Sequence, residues 1–228
     1  MKTQEQLHTP EPEIDKKAQK NDRFNWWQST LLLVLTLAIC LSAGYYISDK
    51  YLWEKTDAGQ IEEQLKYNKS QVDHSPNDPK LRVDLGYSYF LKKDYDEAIK
   101  QFETAKTLDK NYFDAYLNLS IVYDRQDRLN DSLKNAIKAA EISPRDYKGH
   151  LMKGISYRKL KMYKESNEAL AEADKLKPGN TDIIFEIGML AEDQGKKDEA
   201  QTIYKEALAY DPLYKPALEA LDRLGSKN

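Results

Sequence analysis

The sequence predicts an all-α chain, a stack of helix pairs built from a repeated 34-residue unit and carried behind one membrane-spanning helix. Three observations predict it. Residues 79–214 divide without a gap into four units of 34 residues; small side chains recur at three fixed positions of every unit; and 25 residues without a formal charge lie between Arg23 and Asp49. The composition fits a folded chain, because 40% of residues are apolar and Gly and Pro number only 9 and 8, which excludes collagen-like or globally disordered classes. With 35 Lys+Arg against 38 Asp+Glu the net charge is -3, whereas a nucleic-acid binder working by phosphate neutralisation shows a basic excess. No nucleic-acid partner is expected. One cysteine, Cys40, and three scattered histidines, His8, His74 and His150, supply neither an intrachain disulfide nor a zinc ligand set.

The elements follow in chain order. Residues 1–28 hold five acids and five bases with Pro10 and Pro12, and read as a disordered tail. Residues 29–47, centred on Leu31 to Ile39, read as the membrane helix. Nineteen residues at roughly 1.5 Å each span about 28 Å, close to the hydrocarbon core of a bilayer. Trp26 and Trp27 at one end and Tyr45 and Tyr46 at the other suit the headgroup level. A cleaved signal peptide, using Ser42-Ala43-Gly44, is the rival reading, but the long, mixed-charge segment before the apolar run favours an uncleaved anchor. A lipoprotein signal is disfavoured because Ile39 precedes Cys40 where a small residue is needed. Lys16, Lys17, Lys20 and Arg23 before the run outnumber Lys50 and Lys55 after it, which places the N-terminus in the cytoplasm and the remainder across the cell membrane.

Residues 48–78 are expected to form a juxtamembrane segment with a capping helix at 58–72, where Ile61, Leu65 and Val72 follow helical spacing. The units are 79–112, 113–146, 147–180 and 181–214. Their eighth position is Gly86, Ser120, Gly154 and Gly188; the twentieth is Ala98, Ser132, Ser166 and Ala200; the twenty-seventh is Ala105, Ala139, Ala173 and Ala207. Small residues are needed where two helix axes cross most closely. Larger residues at the eleventh position, Tyr89, Tyr123, Tyr157 and Ala191, and at the twenty-fourth, Phe102, Ala136, Leu170 and Tyr204, fill the space beside them. The thirty-second position, Lys110, Pro144, Pro178 and Pro212, marks the break after the second helix. Residues 215–228 are expected to be a C-terminal capping helix with Leu218, Leu221 and Leu224 on one face.

This pattern of small, aromatic and proline positions over 34 residues resembles the tetratricopeptide repeat family. The chain departs from it at the fourth position, often Trp in the family and here Arg82, Tyr116, His150 and Ile184, and at Lys110, which replaces the first proline. The resemblance implies antiparallel helix pairs stacked into a right-handed superhelix whose concave groove is lined by first helices. It implies binding of a protein or peptide, not catalysis, with no cofactor and no small-molecule substrate. Independently of it, the sequence holds no Ser nucleophile between glycines, His-Glu-x-x-His, phosphate-cradling Gly-rich loop or Cys-x-x-Cys, so no enzyme is expected.

In the family geometry the fifth and ninth positions face the groove: Val83 and Tyr87, Leu117 and Ile121, Leu151 and Ile155, Phe185 and Met189. All eight are apolar, which suits a hydrophobic channel for a peptide; the same residues would serve as packing between neighbouring first helices, and the sequence leaves both roles open. Around them lie Lys80, Asp84, Asp114, Asn118, Lys148, Arg158, Asp182, Glu186 and Glu192, a rim basic in the third unit and acidic in the fourth. Of the family's five-residue carboxylate clamp only Asn118 and Lys148 match, with Val83, Tyr87 and Met152 in the other places, so that clamp is not expected. Similar bacterial architectures are anchored repeat proteins serving cytochrome c maturation or pilus and secretion assembly. These imply a membrane-anchored scaffold or adaptor that assembles an envelope or exported protein complex. The alternative is a cytosol-facing receptor or import factor anchored by its N-terminus.

Overall fold

The computed structural model describes residues 26–47 and 58–225, which fall into two compact units divided between Lys55 and Thr56. The tail at 1–25, the linker at 48–57 and the last three residues lie outside the described residues.

In the first unit, α1 runs Trp26–Ile47. Its helix begins before the predicted Ser29. The side chains of Leu31 to Leu35, Leu37, Ile39 and Leu41 are 55–68% exposed, a mostly apolar exposed surface. The hydroxyls of Thr30, Thr36 and Ser42 each donate to the carbonyl three residues back at 3.0 Å, which turns the polar atoms of this run onto its own backbone. Among the described residues no helix is long and apolar enough to cross a membrane. The side chains of Trp26, Cys40, Tyr45 and Tyr46 lie outside the described residues.

The second unit is a run of helices: α2 (Ala58–His74), α3 (Pro79–Leu91), α4 (Tyr95–Leu108), α5 (Phe113–Arg125), α6 (Leu129–Ile142), α7 (Tyr147–Lys159), α8 (Tyr163–Leu176), α9 (Thr181–Asp193), α10 (Lys197–Tyr210) and α11 (Lys215–Gly225). Each 34-residue unit is one pair, α3/α4 through α9/α10. A 13-residue first helix starts at the unit's first residue, and a 14-residue second helix follows. The small positions explain the pairing. A Cβ at Gly86, Gly154 or Gly188 would stand 2.5–2.6 Å from Phe102, Leu170 or Tyr204, so the eighth position receives the twenty-fourth. In the second unit the same two positions are Ser120 and Ala136, both small and fully buried. The alanines at the twenty-seventh position are all at 0% exposure, as are the alanines and serines at the twentieth.

Starts and turns are equally regular. Asp78, Asp146 and Asn180, each just before a first helix, accept backbone N–H bonds from Lys80 at 2.8 Å, Lys148 at 2.9 Å and Ile183 at 3.1 Å. Tyr112, at the same place before α5, provides no side-chain cap. At the fourth position the departures from the family pattern have a use. Arg82 Nε donates to the Pro76 carbonyl at 3.0 Å, Tyr116 Oη to that of Lys110 at 3.1 Å, and His150 Nε2 lies 3.1 Å from that of Pro144. Each lies against a carbonyl just beyond the end of the preceding helix.

Within every pair the fifteenth residue is left-handed: Lys93 (φ 64°), Asp127 (58°), Lys161 (61°) and Gly195 (78°). A side chain there costs roughly 1–2 kcal/mol, part of which glycine's freedom in the unfolded chain offsets. Lys161→Gly is therefore expected to stabilise the domain by about 1 kcal/mol, read as a higher urea midpoint at unchanged slope. Gly195→Ala should do the reverse.

The stack has an inner and an outer layer. Each first helix touches the first helix of the next unit, α3 to α5, α5 to α7 and α7 to α9, while second helices have no comparable pairing among the described residues and pack against the first helices before and after them. Close inner helices beside separated outer ones curve the stack toward its first helices. At the ends, Leu65 and Val72 of α2 pack on Leu85, and Asn68 Nδ2 donates to Ser88 Oγ at 2.8 Å. α11 buries Ala217, Ala220 and Leu224. Leu218, grouped with Leu221 and Leu224 from the sequence, is 43% exposed, because the contact face is carried by the two alanines.

Candidate partner-binding face

The inner layer brings the predicted groove residues onto successive parallel helices, but unequally. Val83 and Leu117 are buried at 8% exposure, Tyr87 is 45% exposed, and Ile121, Leu151, Ile155, Phe185 and Met189 are half-buried. The fifth position packs more than it presents in the first two units. Phe185 has its ring 5.5 Å from that of Tyr204 and edge-on to Tyr214 at 5.9 Å. Met189 Sδ lies 3.2 Å from the Tyr204 hydroxyl, which donates to Glu192 at 2.8 Å. Leu151 and Ile155 offer side-chain surface at the middle of the stack. Lys148 is exposed at the start of α7, and Asn118, half-buried, donates its amide to the Asp114 carbonyl at 2.7 Å on its own helix.

The rim departs from its predicted character. Arg158 does not offer a free basic charge; its side chain is 8% exposed and held between two carboxylates of the next first helix, Glu186 at 2.8 Å and Asp193 at 2.7 Å. Lys159 reaches back to Asp124 at 2.7 Å, and Arg223 of α11 binds Glu192 at 2.7 Å. The inner edges of α5, α7, α9 and α11 are thus laced by ion pairs. Burial lowers the tendency of Arg158 to hold its proton, and the two facing carboxylates more than offset this. Burial pushes the Glu186 carboxyl above the usual glutamate range despite Arg158. The Tyr204 and Tyr214 hydroxyls are raised by burial and then by their bonds to Glu192 and Asp182. Lys80 and Asp84 form an exposed pair at 3.5 Å within one helix.

The pairing of Lys159 with Asp124, of Asp193 with Arg158 and of Arg223 with Glu192 is not among the sequence expectations. The signal was available, since their pairs join positions six, nine, twelve and thirteen of adjacent units with opposite signs. On the outer layer, an open cleft of about 440 Å³ between α4 and α6 is lined by Tyr116, Tyr123 and Lys134, with the Arg128 guanidinium 4.3 Å from the Tyr123 ring. Among the described residues no group of His, Cys, Asp and Glu side chains could hold a metal ion.

Residues 86–127 match the family model described as TPR repeat, and residues 181–212 the one described as tetratricopeptide repeat. A probable UDP-N-acetylglucosamine–peptide N-acetylglucosaminyltransferase SPINDLY of Petunia hybrida is 42% identical over 69 residues, 30% of this chain and 7% of its own length. Hsp70-Hsp90 organizing protein 3 of Arabidopsis thaliana is 27% identical over 128 residues, 56% of this chain and 22% of its own. This chain therefore spans less than a quarter of either relative. The solved structure of YrrB, described as a TPR protein with an unusual peptide-binding site, superposes with a TM-score of 0.57 at 20% identity, covering 71% of this chain and 84% of that one. At that identity the likeness is one of fold.

Proposed function

We propose, from the premise that this chain carries tetratricopeptide repeats, that it is a membrane-anchored scaffold whose inner face binds a segment of a protein partner during assembly of an envelope or exported complex, without catalysing a reaction. The observation that carries the binding part is the contact of successive first helices, on which Tyr87 is exposed and Ile121, Leu151 and Ile155 are half-buried. The peptide-binding site described for YrrB and the Hsp70-Hsp90 organizing protein among the relatives support the same reading. For anchoring, the support is the exposed apolar surface of α1, since such a surface is costly in water unless covered. The cytoplasmic N-terminus rests on the Lys and Arg asymmetry around it.

Two variants separate docking from packing. Leu151→Asp is expected to leave folding nearly intact and to weaken capture of the partner at least tenfold, as loss of a central anchor does. Leu117→Asp, at a buried site, is expected to lower stability by about 3 kcal/mol with or without a partner. Leu151→Asp protein that folds and captures at the wild-type level would remove the inner face from consideration. Anchoring and orientation are tested by protease added to intact cells: digestion of the repeat domain is expected, and protection until the membrane is permeabilised would favour the cytosol-facing alternative.

A further inference from the structure

The inner helices differ in charge. α7 carries Lys148, Lys153, Arg158 and Lys159 and no acid, and α9 carries Asp182, Glu186, Glu192 and Asp193 and no base. The lacing uses these charges unevenly. One guanidinium, Arg158, serves both Glu186 and Asp193, and Lys159 is turned away to Asp124. Asp182 accepts from the neutral Tyr214 hydroxyl at 2.6 Å, and no cation pairs with it among the described residues. With Arg223 of α11 on Glu192, two guanidiniums face the four carboxylates of α9, which keeps a negative excess on its inner side. Its arrangement is specific: Asp182, Phe185, Met189 and Asp193 follow the i, i+3, i+7, i+11 spacing of one helical face, so a carboxylate stands at each end of an apolar centre. The two acids are exposed and the two apolar residues half-buried.

We infer that the segment docked on this face is basic and apolar together, with a Lys or Arg on each side of a short apolar core, seated along α9. This rests on the inner-face docking proposed above and adds the chemistry of the occupant. Eleven residues of helix rise about 16 Å, which an extended segment covers in about five residues. One cationic group would then meet Asp182 and the other the Asp193 carboxylate, one oxygen of which Arg158 already holds, while the residues between them lie on Phe185 and Met189. Apolar contact supplies the attachment, and the two end charges fix register and discriminate against acidic segments.

The test uses the full chain and two fluorescent peptides that share a four-residue leucine- and phenylalanine-containing core, one flanked by lysines and the other by glutamates. At low salt the lysine peptide is expected to bind about tenfold more tightly, the sum of two modest exposed ion pairs, and the preference should shrink as salt is raised. Asp182→Asn, which leaves both pairs of Arg158 in place, should reduce the preference to about threefold. Glu168→Gln with Glu172→Gln, on the outer helix α8, should leave it unchanged. Equal binding of both peptides would overturn the inference and leave the docking face standing, as would a preference lost equally in the α8 variant, which marks general charge attraction. If neither peptide binds, the docking reading fails and the inference with it.

Discussion

Gly188→Leu is expected to lower the stability of the repeat domain by about 3 kcal/mol, the upper range for overpacking, and its melting temperature by about 10 °C. Even a single Cβ at this site would lie 2.5 Å from the Tyr204 ring, and that ring is fully buried and tied to Glu192. Neither helix can retreat, because Tyr204 belongs to the cluster that also contains Ala207, Ala217 and Leu224. The second unit states the remedy. There the eighth and twenty-fourth positions are Ser120 and Ala136, both fully buried, so Gly188→Ser should be tolerated far better in a chain that also carries Tyr204→Ala. A double-mutant cycle is expected to show a coupling of at least about 1 kcal/mol favouring the pair. Additive effects would mean that the eighth and twenty-fourth positions do not share one packing site.

Arg158→Met is expected to cost about 3 kcal/mol at neutral pH, the lower end for a broken buried pair, since it leaves the largely buried Glu186 without its counter-charge. The pH dependence has a definite sign. Glu186 already holds its proton more tightly in the folded chain than the usual value of 4.5, and loss of Arg158 raises it further. A carboxyl whose folded value lies above its unfolded one favours the fold below the unfolded value and loses that contribution as pH rises through the folded one. The deficit of Arg158→Met should therefore be largest near pH 7 and shrink as pH is lowered toward 4. Glu186→Gln in the same chain should recover more than half of the loss at pH 7 and flatten the dependence. Urea unfolding of the two variants across that range checks both statements.

The helix pairs were legible because their cause is local and repeated. Gly86, Gly154 and Gly188 recur at one position, and the residue each receives recurs sixteen later, so a single alignment exposes the contact. The turn conformation was not legible in three units of four, because Lys93, Asp127 and Lys161 hold a left-handed backbone that only Gly195 announces by its identity. The candidate face was legible as a stripe but not in its degree of burial. Leu117 and Leu151 occupy the same position of adjacent units, yet Leu117 is buried and Leu151 half-buried, a difference set by neighbours on other helices. The lacing was hidden for a different reason. Position twelve is Phe90, Asp124, Arg158 and Glu192 in turn, so no residue type repeats, and only the opposite signs in adjacent units reveal the pairs. Arg158 consequently read as a rim charge when its guanidinium holds two units together.

The claim that the inner face is where a partner docks is tested most directly by site-specific photo-crosslinking in cells. A photoreactive residue is placed at Ile155, half-buried on the first helix α7, or at Lys164, exposed on the second helix α8. The same discrete crosslinked species from position 155, absent from position 164 and lost when Leu151→Asp is added, is the predicted result. Crosslinks from position 164 with none from position 155 would contradict it and assign recognition to the outer helices.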